Sequence, residues 1–281
     1  MKTLWRYTLG ADTAIQYAPA FAYGRVYVVA GPDLISLDAV RGYHYSVVPL
    51  FGSFIFRITH PSEWLIRFMT SDGMLLFLGK NRWGTRFPLV YDPRIREVVD
   101  GDPSPILRKM KYIFAGDYKI TRFFSEDTRF EGLVATTHPE GEALWNSLDR
   151  IRPAVRSTRI VGDILQVESR IIMCQNYYGR RSMMPTGCSI VCFDRQSGEV
   201  LWKQESYSYG QRLYPGVATE DMMTITGGDQ RMGFIRRIDL VTGRIVSQKT
   251  EDVPFSGLAV DNKVYYFGMG RDVVAVREDD L

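Results

Sequence analysis

Long apolar runs are missing from this chain. No stretch is long and apolar enough to cross a membrane as a helix, and the opening MKTLWRYTLG has no hydrophobic core of a leader peptide. Charge of one sign is missing as well. The 35 basic residues nearly balance the 32 acidic ones, giving a net +3 and a pI near 8.7, too mild to demand a nucleic-acid or membrane partner. Cysteine is scarce at 3 residues, an odd count. Cys188 and Cys192 lie on one run, roughly 13 Å apart at ~3.3 Å per residue, too far to bridge. Free thiols in a core are therefore expected, including Cys174, and with them a reduced, cytoplasmic setting.

Histidine is equally sparse. His44, His60 and His138 have no second His or Cys at ligand spacing, so no metal site is expected. Gly227-Gly228-Asp229 and Gly268-Met269-Gly270 are not followed by a helix whose N-terminus would hold a phosphate. No Ser or Cys has a paired base in the sequence. The expectation is a protein with no catalytic residues, no metal and no cofactor.

What the chain does contain is a repeated turn. In CSIVCFDRQSGEVLWKQ (188–204), a strand-like alternation ends at Asp194, which can accept backbone amides ahead of it. Gly198 then supplies a positive φ, and Val200, Leu201 and Trp202 resume the strand. The Asp-x-x-x-Gly frame recurs at Asp38–Gly42 and Asp239–Gly243. Degenerate copies put Thr137 in the Asp place ahead of Gly141 and Trp145, or keep Asp92 and lose the Gly. With Arg277 as a sixth marker, the spacing is roughly 40 to 50 residues, which is the period of propeller blades. The strand after Arg277 lacks its Trp, whereas Trp5 lies near the N-terminus. The first strand is therefore expected to complete the last blade.

The stretches YGRVYVVAGPDLISLDAVRG and CSIVCFDRQSGEVLWKQ resemble the repeats of the PQQ-like, quinoprotein-type β-propeller superfamily. That resemblance implies an all-β fold, a single β-propeller domain over 1–281 with about six four-stranded blades, seven being the alternative. It does not imply dehydrogenase chemistry, because the adjacent cysteine pair and the eight-bladed ring of those enzymes have no counterpart here. It does not imply the outer-membrane scaffold branch either, whose export signal and lipid-bearing Cys are not found in this sequence.

Uneven blade spacing gives the functional expectation. Connections between second and third strands read as short in blades one, five and six, and as long loops in blades two to four: Gly79–Pro88, Gly116–Glu131 and Gln175–Gly187. These segments carry Arg82, Trp83, Arg86, Phe123, Tyr177, Tyr178, Arg180, Arg181, Met183 and Met184, and YSYGQRLY (207–214) adds Tyr209 and Arg212. Aromatic, Arg and Met side chains desolvate large areas and still make directed contacts, as binding hot spots do. The expected function is a non-enzymatic, protein-binding module, monomeric when free: a scaffold, or an inhibitor or immunity-type protein. An enzyme or small-ligand sensor using the central channel is the alternative.

Overall fold

A computed structural model describes residues 1–10, 18–31, 33–49, 63–68, 75–80, 86–99, 112–151, 155–179, 184–214, 216–219 and 221–281. Strand β1 (Trp5–Thr8) precedes the first sheet, β2 (Ala20–Ala22), β3 (Arg25–Ala30), β4 (Asp33–Asp38) and β5 (His44–Pro49). The second holds β6 (Glu63–Phe68), β7 (Leu75–Lys80), β8 (Arg86–Asp92) and β9 (Glu97–Val99), and the third β10 (Tyr112–Ala115), β11 (Tyr118–Ser125), β12 (Phe130–Thr137) and β13 (Ala143–Asn146). In the fourth, β14 (Ser157–Ile160) and β15 (Leu165–Val167) both pair with β16 (Arg170–Tyr178), followed by β17 (Pro185–Asp194) and β18 (Val200–Ser206). In the fifth, β19 (Arg212–Leu213) and β20 (Val217–Ala218) both pair with β21 (Met222–Gly228), followed by β22 (Gly233–Asp239) and β23 (Ile245–Glu251). The sixth holds β24 (Phe255–Asp261), β25 (Val264–Met269) and β26 (Asp272–Arg277), and its fourth strand is β1.

All the sheets are antiparallel meanders, and the pairing of β1 with β26 sets Trp5 opposite Ala275 and Thr8 opposite Asp272. The expected completion of the last blade by the first strand is therefore present. The chain divides into two compact units, Met1–Ile106 with Val253–Leu281, and Leu107–Asp252. The first holds blades one, two and six, and the second holds blades three to five.

Burial along the strands follows from position in the blade. Central strands are covered on both faces, so β16 is buried from Ile171 to Tyr177 and β26 from Val273 to Val276. The outermost strands, VLWKQES and IVSQKTE, alternate exposed and half-buried positions because one face meets solvent.

Tryptophan locks adjacent blades together. The Trp202 indole N–H donates to the Leu240 carbonyl at 2.9 Å, Trp145 to Arg195 at 3.0 Å, and Trp5 to Ala39 at 2.8 Å. Each acceptor directly follows the Asp of the next blade's turn. Each ring lies over the turn glycine: a Cβ on Gly42 would meet Trp5 at 2.5 Å, one on Gly243 would meet Trp202 at 2.6 Å, and one on Gly198 would be driven into Trp145. The glycines sit at φ of 71°, 69° and 68°. The Asp-x-x-x-Gly frame thus serves two ends, a left-handed turn and a bare floor for an indole.

Two sequence expectations are corrected. Gly116–Glu131 is not a long loop, since β11 and β12 run eight residues each and leave only 126–129 between them. Gln175–Gly187 is likewise mostly strand, with β16 reaching Tyr178 and β17 starting at Pro185. In the first of these the interior charge is met within the hairpin, where Arg122 in β11 ion-pairs with Glu131 in β12 at 2.6 Å. The innermost strand of blade four begins at Ser157 and breaks near Gly162, at φ 71°.

Candidate interaction surface

The site sits on the second unit, where the strand-two to strand-three tips meet the crossings between blades. Its base is Glu131, whose side chain is only 13% exposed. One carboxylate oxygen accepts from Arg122 at 2.6 Å and from the Ile160 amide at 2.7 Å, and the other accepts from Arg159 at 3.1 Å. The Gln175 side-chain amide donates to the Glu131 carbonyl at 2.7 Å. Blade three and blade four are thereby bolted together through one acidic residue. Above it the Arg159 guanidinium lies 4.8 Å from the ring of the exposed Phe124.

The crossing from blade four to blade five is tied down just as tightly. Asn176 accepts from the Leu213 amide at 2.8 Å and donates to the Leu213 carbonyl at 3.1 Å. The Gly210 amide donates to the Pro185 carbonyl at 2.7 Å, which folds the crossing back onto the blade-four tip. The Ser206 hydroxyl meets the Gln211 side-chain oxygen at 2.7 Å, and Arg212 approaches the Met184 sulfur at 3.8 Å. Gly187 permits the close approach, since a Cβ there would run into the Ser206 carbonyl. In blade five, Asp229 accepts the amides of Arg231 and Met232 at 2.7 and 2.9 Å and presents an exposed Met232.

Beneath this crossing, Tyr177 donates its hydroxyl to Glu205 at 2.7 Å, and the Tyr207 ring lies tilted at 5.7 Å from that of Tyr177. Burial pushes the Tyr177 hydroxyl well above its ordinary pKa, and the Glu205 carboxylate reinforces the shift. Burial also pushes Glu205 upward, but hydrogen bonds from Lys203 and Tyr177 outweigh it and hold the carboxyl below its usual range. The group therefore stays ionised and fixes the two tyrosines.

The structure sorts the expected binding residues. Tyr178, Met184, Tyr209 and Arg212 belong to this surface, with Tyr209 at 72% exposure. Tyr177 is corrected: at 0% exposure it is a supporting residue and not a contact. Phe123 is half-buried within β11 and not on a loop. Arg86 lies in β8 of the first unit with its side chain outside the described residues, as are Arg82, Trp83, Arg180, Arg181 and Met183. Sequence reasoning, which quoted Tyr207 only within the stretch 207–214, missed Phe124, Arg159 and Met232. For Phe124 the signal was present, since once β11 is a strand its alternation turns Phe124 outward.

His44 stacks on Tyr7 at 6.2 Å and His138 meets Phe114 edge-on at 4.9 Å. Cys174, Cys188 and Cys192 are free and buried, as expected, and burial pushes their thiols up, to about 12 for Cys174. Among the described residues no group of three or more His, Cys, Asp or Glu has a metal-binding arrangement.

No protein-family model matches the chain, and no curated protein matches it. Solved structures do. Drosophila plexin A in complex with semaphorin 1b aligns with a TM-score of 0.52 at 9% identity, over 99% of this chain and 87% of that one. BamB from Moraxella catarrhalis aligns at 0.37 and 16% identity over 98% and 96%, and Kuenenia stuttgartiensis hydrazine synthase at 0.41 and 13% over 93% and 75%. At such identities a likeness speaks for architecture alone. The plexin A likeness, together with the six antiparallel sheets among the described residues, makes the chain a β-propeller.

Proposed function

We propose that this chain is a non-catalytic protein-binding module, a single-domain cytoplasmic member of the PQQ-like propellers that holds one partner against the tips of blades three to five. The observation that carries the reading is the rigid presentation of exposed aromatics. Tyr207 and Tyr209, 58% and 72% exposed, project from a crossing whose backbone is anchored by Gly210 to Pro185 and by Leu213 to Asn176. A large aromatic held in place loses little conformational entropy on binding, so its buried area converts efficiently into affinity. Arg159, Arg212 and the exposed Met232 on the same unit add residue types typical of interfaces. Plexin A was solved in complex with another protein, semaphorin 1b, which supports the use of a propeller in this way. An inhibitor or immunity-type role, one partner occupied by one propeller, is the narrower form of the same reading.

The test uses a photo-crosslinking amino acid at Tyr209, and at the exposed Val241 on a strand-three to strand-four turn of the same unit as the comparison site. The protein captured at Tyr209 is then purified and titrated. Tyr207→Ala with Tyr209→Ala should weaken it by at least about 2 kcal/mol, as hot-spot truncations do, while Val241→Ala leaves affinity unchanged. Equal capture at both sites, or unchanged affinity in the double variant, would refute the assignment.

A further inference from the structure

Between blades four and five of the second unit lies an open cavity of about 340 Å³, lined among others by Cys188, Gln204, Ser206, Leu213, Arg236 and Ile245. Its size falls at the lower end of small-ligand pockets. Side chains of β18 alternate across the sheet. Gln204 reaches the Gly243 carbonyl in blade five and Ser206 meets Gln211, so both turn toward the cavity. Glu205 between them lines the cavity as well, and its carboxylate is already taken up by Lys203 at 2.6 Å and Tyr177 at 2.7 Å.

Arg236 is left as the cavity's uncompensated charge. Its Nε donates to the Gln248 side-chain oxygen at 2.7 Å, and its guanidinium lies 4.1 Å from the Phe234 ring. These two contacts fix the plane of the group. Its two terminal nitrogens have no acceptor, and no carboxylate pairs with it, among the described residues. Half-buried and held without a counter-charge, the guanidinium offers a planar fork that fits a carboxylate with two parallel hydrogen bonds.

We propose that this cavity binds a small organic monocarboxylate, its carboxylate on the Arg236 fork and its short carbon chain against Leu213, Ile190 and Ile245. One positive charge matches one carboxylate, and the apolar floor favours carbon over further charge. The Gln204 and Ser206 side chains border the polar end. Cys188 lines the same cavity, so an occupant shields its thiol.

The probes are sodium butyrate and sodium hexanoate, with sodium chloride at equal ionic strength and sodium phosphate for comparison. Iodoacetamide alkylation of Cys188 is followed by mass spectrometry on the full chain, with Cys192, on the same strand but outside the cavity lining, as the internal reference. Butyrate or hexanoate should slow Cys188 alkylation saturably, by about threefold or more at 100-fold excess over half-saturation, with Cys192 unchanged. Arg236→Gln should raise the half-saturating concentration about tenfold or more, and Arg236→Lys, which keeps charge without the fork, should fall between. An unfolded variant would betray itself by rapid Cys192 alkylation. In that case Ile245→Trp, which fills the mouth from an exposed position, should abolish protection in a folded chain. Protection equal in sodium chloride, protection intact in Arg236→Gln, or phosphate acting at lower concentration than either carboxylate would overturn the proposal.

Discussion

Glycine and tryptophan come and go as a pair. Gly42, Gly198 and Gly243 each carry an indole from the preceding blade. At the junction of blades one and two, Arg96 stands where the glycine would be, at φ 64°, and the position facing it in β5 is Ser46, bonded to Ser36 at 2.7 Å. The space is taken by Tyr45 instead, which accepts from Arg96 at 2.6 Å and stacks under Arg25 at 3.6 Å. Gly243→Ala should therefore cost roughly 1–3 kcal/mol, from the strained φ and the displaced ring together. Arg96→Gly should be near neutral, trading backbone strain for the lost tyrosine contact. Urea unfolding of the two variants reads both. The turn aspartates add a pH dependence. Hydrogen bonds from Ser197 and Gln196 hold Asp194 below its ordinary pKa, those from Thr242 and Val241 hold Asp239 down, and Arg94 does so for Asp92. A carboxyl depressed on folding contributes stability that is fully present above the unfolded value of about 3.9 and is lost as pH falls through the folded value. The urea midpoint should hold from pH 7 to about 5 and decline below about 4, and Asp194→Asn should flatten that decline.

At the level of the strand, the decisive residue is Glu131. It neutralises Arg122 within its own hairpin and ties Arg159 and the Ile160 amide of the next blade. Glu131→Gln leaves Arg122 partly buried without its counter-charge, so a loss of about 1–3 kcal/mol is expected, less than for a fully buried pair because Arg122 and Arg159 retain some solvent. Denaturation of the variant beside an Arg159→Ala variant, which should lose under about 1 kcal/mol, separates the two contributions. The same pair explains where strand reasoning failed. Lys119, Arg122 and Glu131 break the hydrophobic alternation of 118–131, and only the strand pairing, which sets Arg122 against Glu131 and Lys119 over the Tyr112 ring, shows how each charge is met. In contrast Cys188–Asp194, Ile245–Glu251 and Asp272–Arg277 announce themselves by β-branched alternation and a glycine turn. The aromatic surface was half readable for the same reason. Tyr209 and Arg212 lie in a turn-rich crossing that reads as exposed, whereas Tyr177 looks the same on paper and is buried because Glu205 accepts its hydroxyl.

Across the described residues, six sheets share one plan, one for each of the markers Asp38, Asp92, Thr137, Asp194, Asp239 and Arg277 from which about six blades were expected. The first and last residues meet in one sheet, with Trp5 opposite Ala275 and donating to Ala39. Deleting residues 1–9 should bare the β26 edge and leave Gly42 uncovered, giving a chain that unfolds below about 45 °C, short of the usual range for domains, or aggregates through the exposed strand. A synthetic peptide of residues 1–9 added in trans should recover the lost transition, which calorimetry reads. No rescue, together with an unchanged melting profile in the deletion, would contradict the pairing.

That shared sheet also sets an order of events in the cell. A ribosome releases the N-terminal segment more than 260 residues before its strand partner exists, so the indole of Trp5 has no blade to close until β26 has been made. A product stalled before β26 lacks this seam and carries an unmatched strand edge, a template for pairing with another chain.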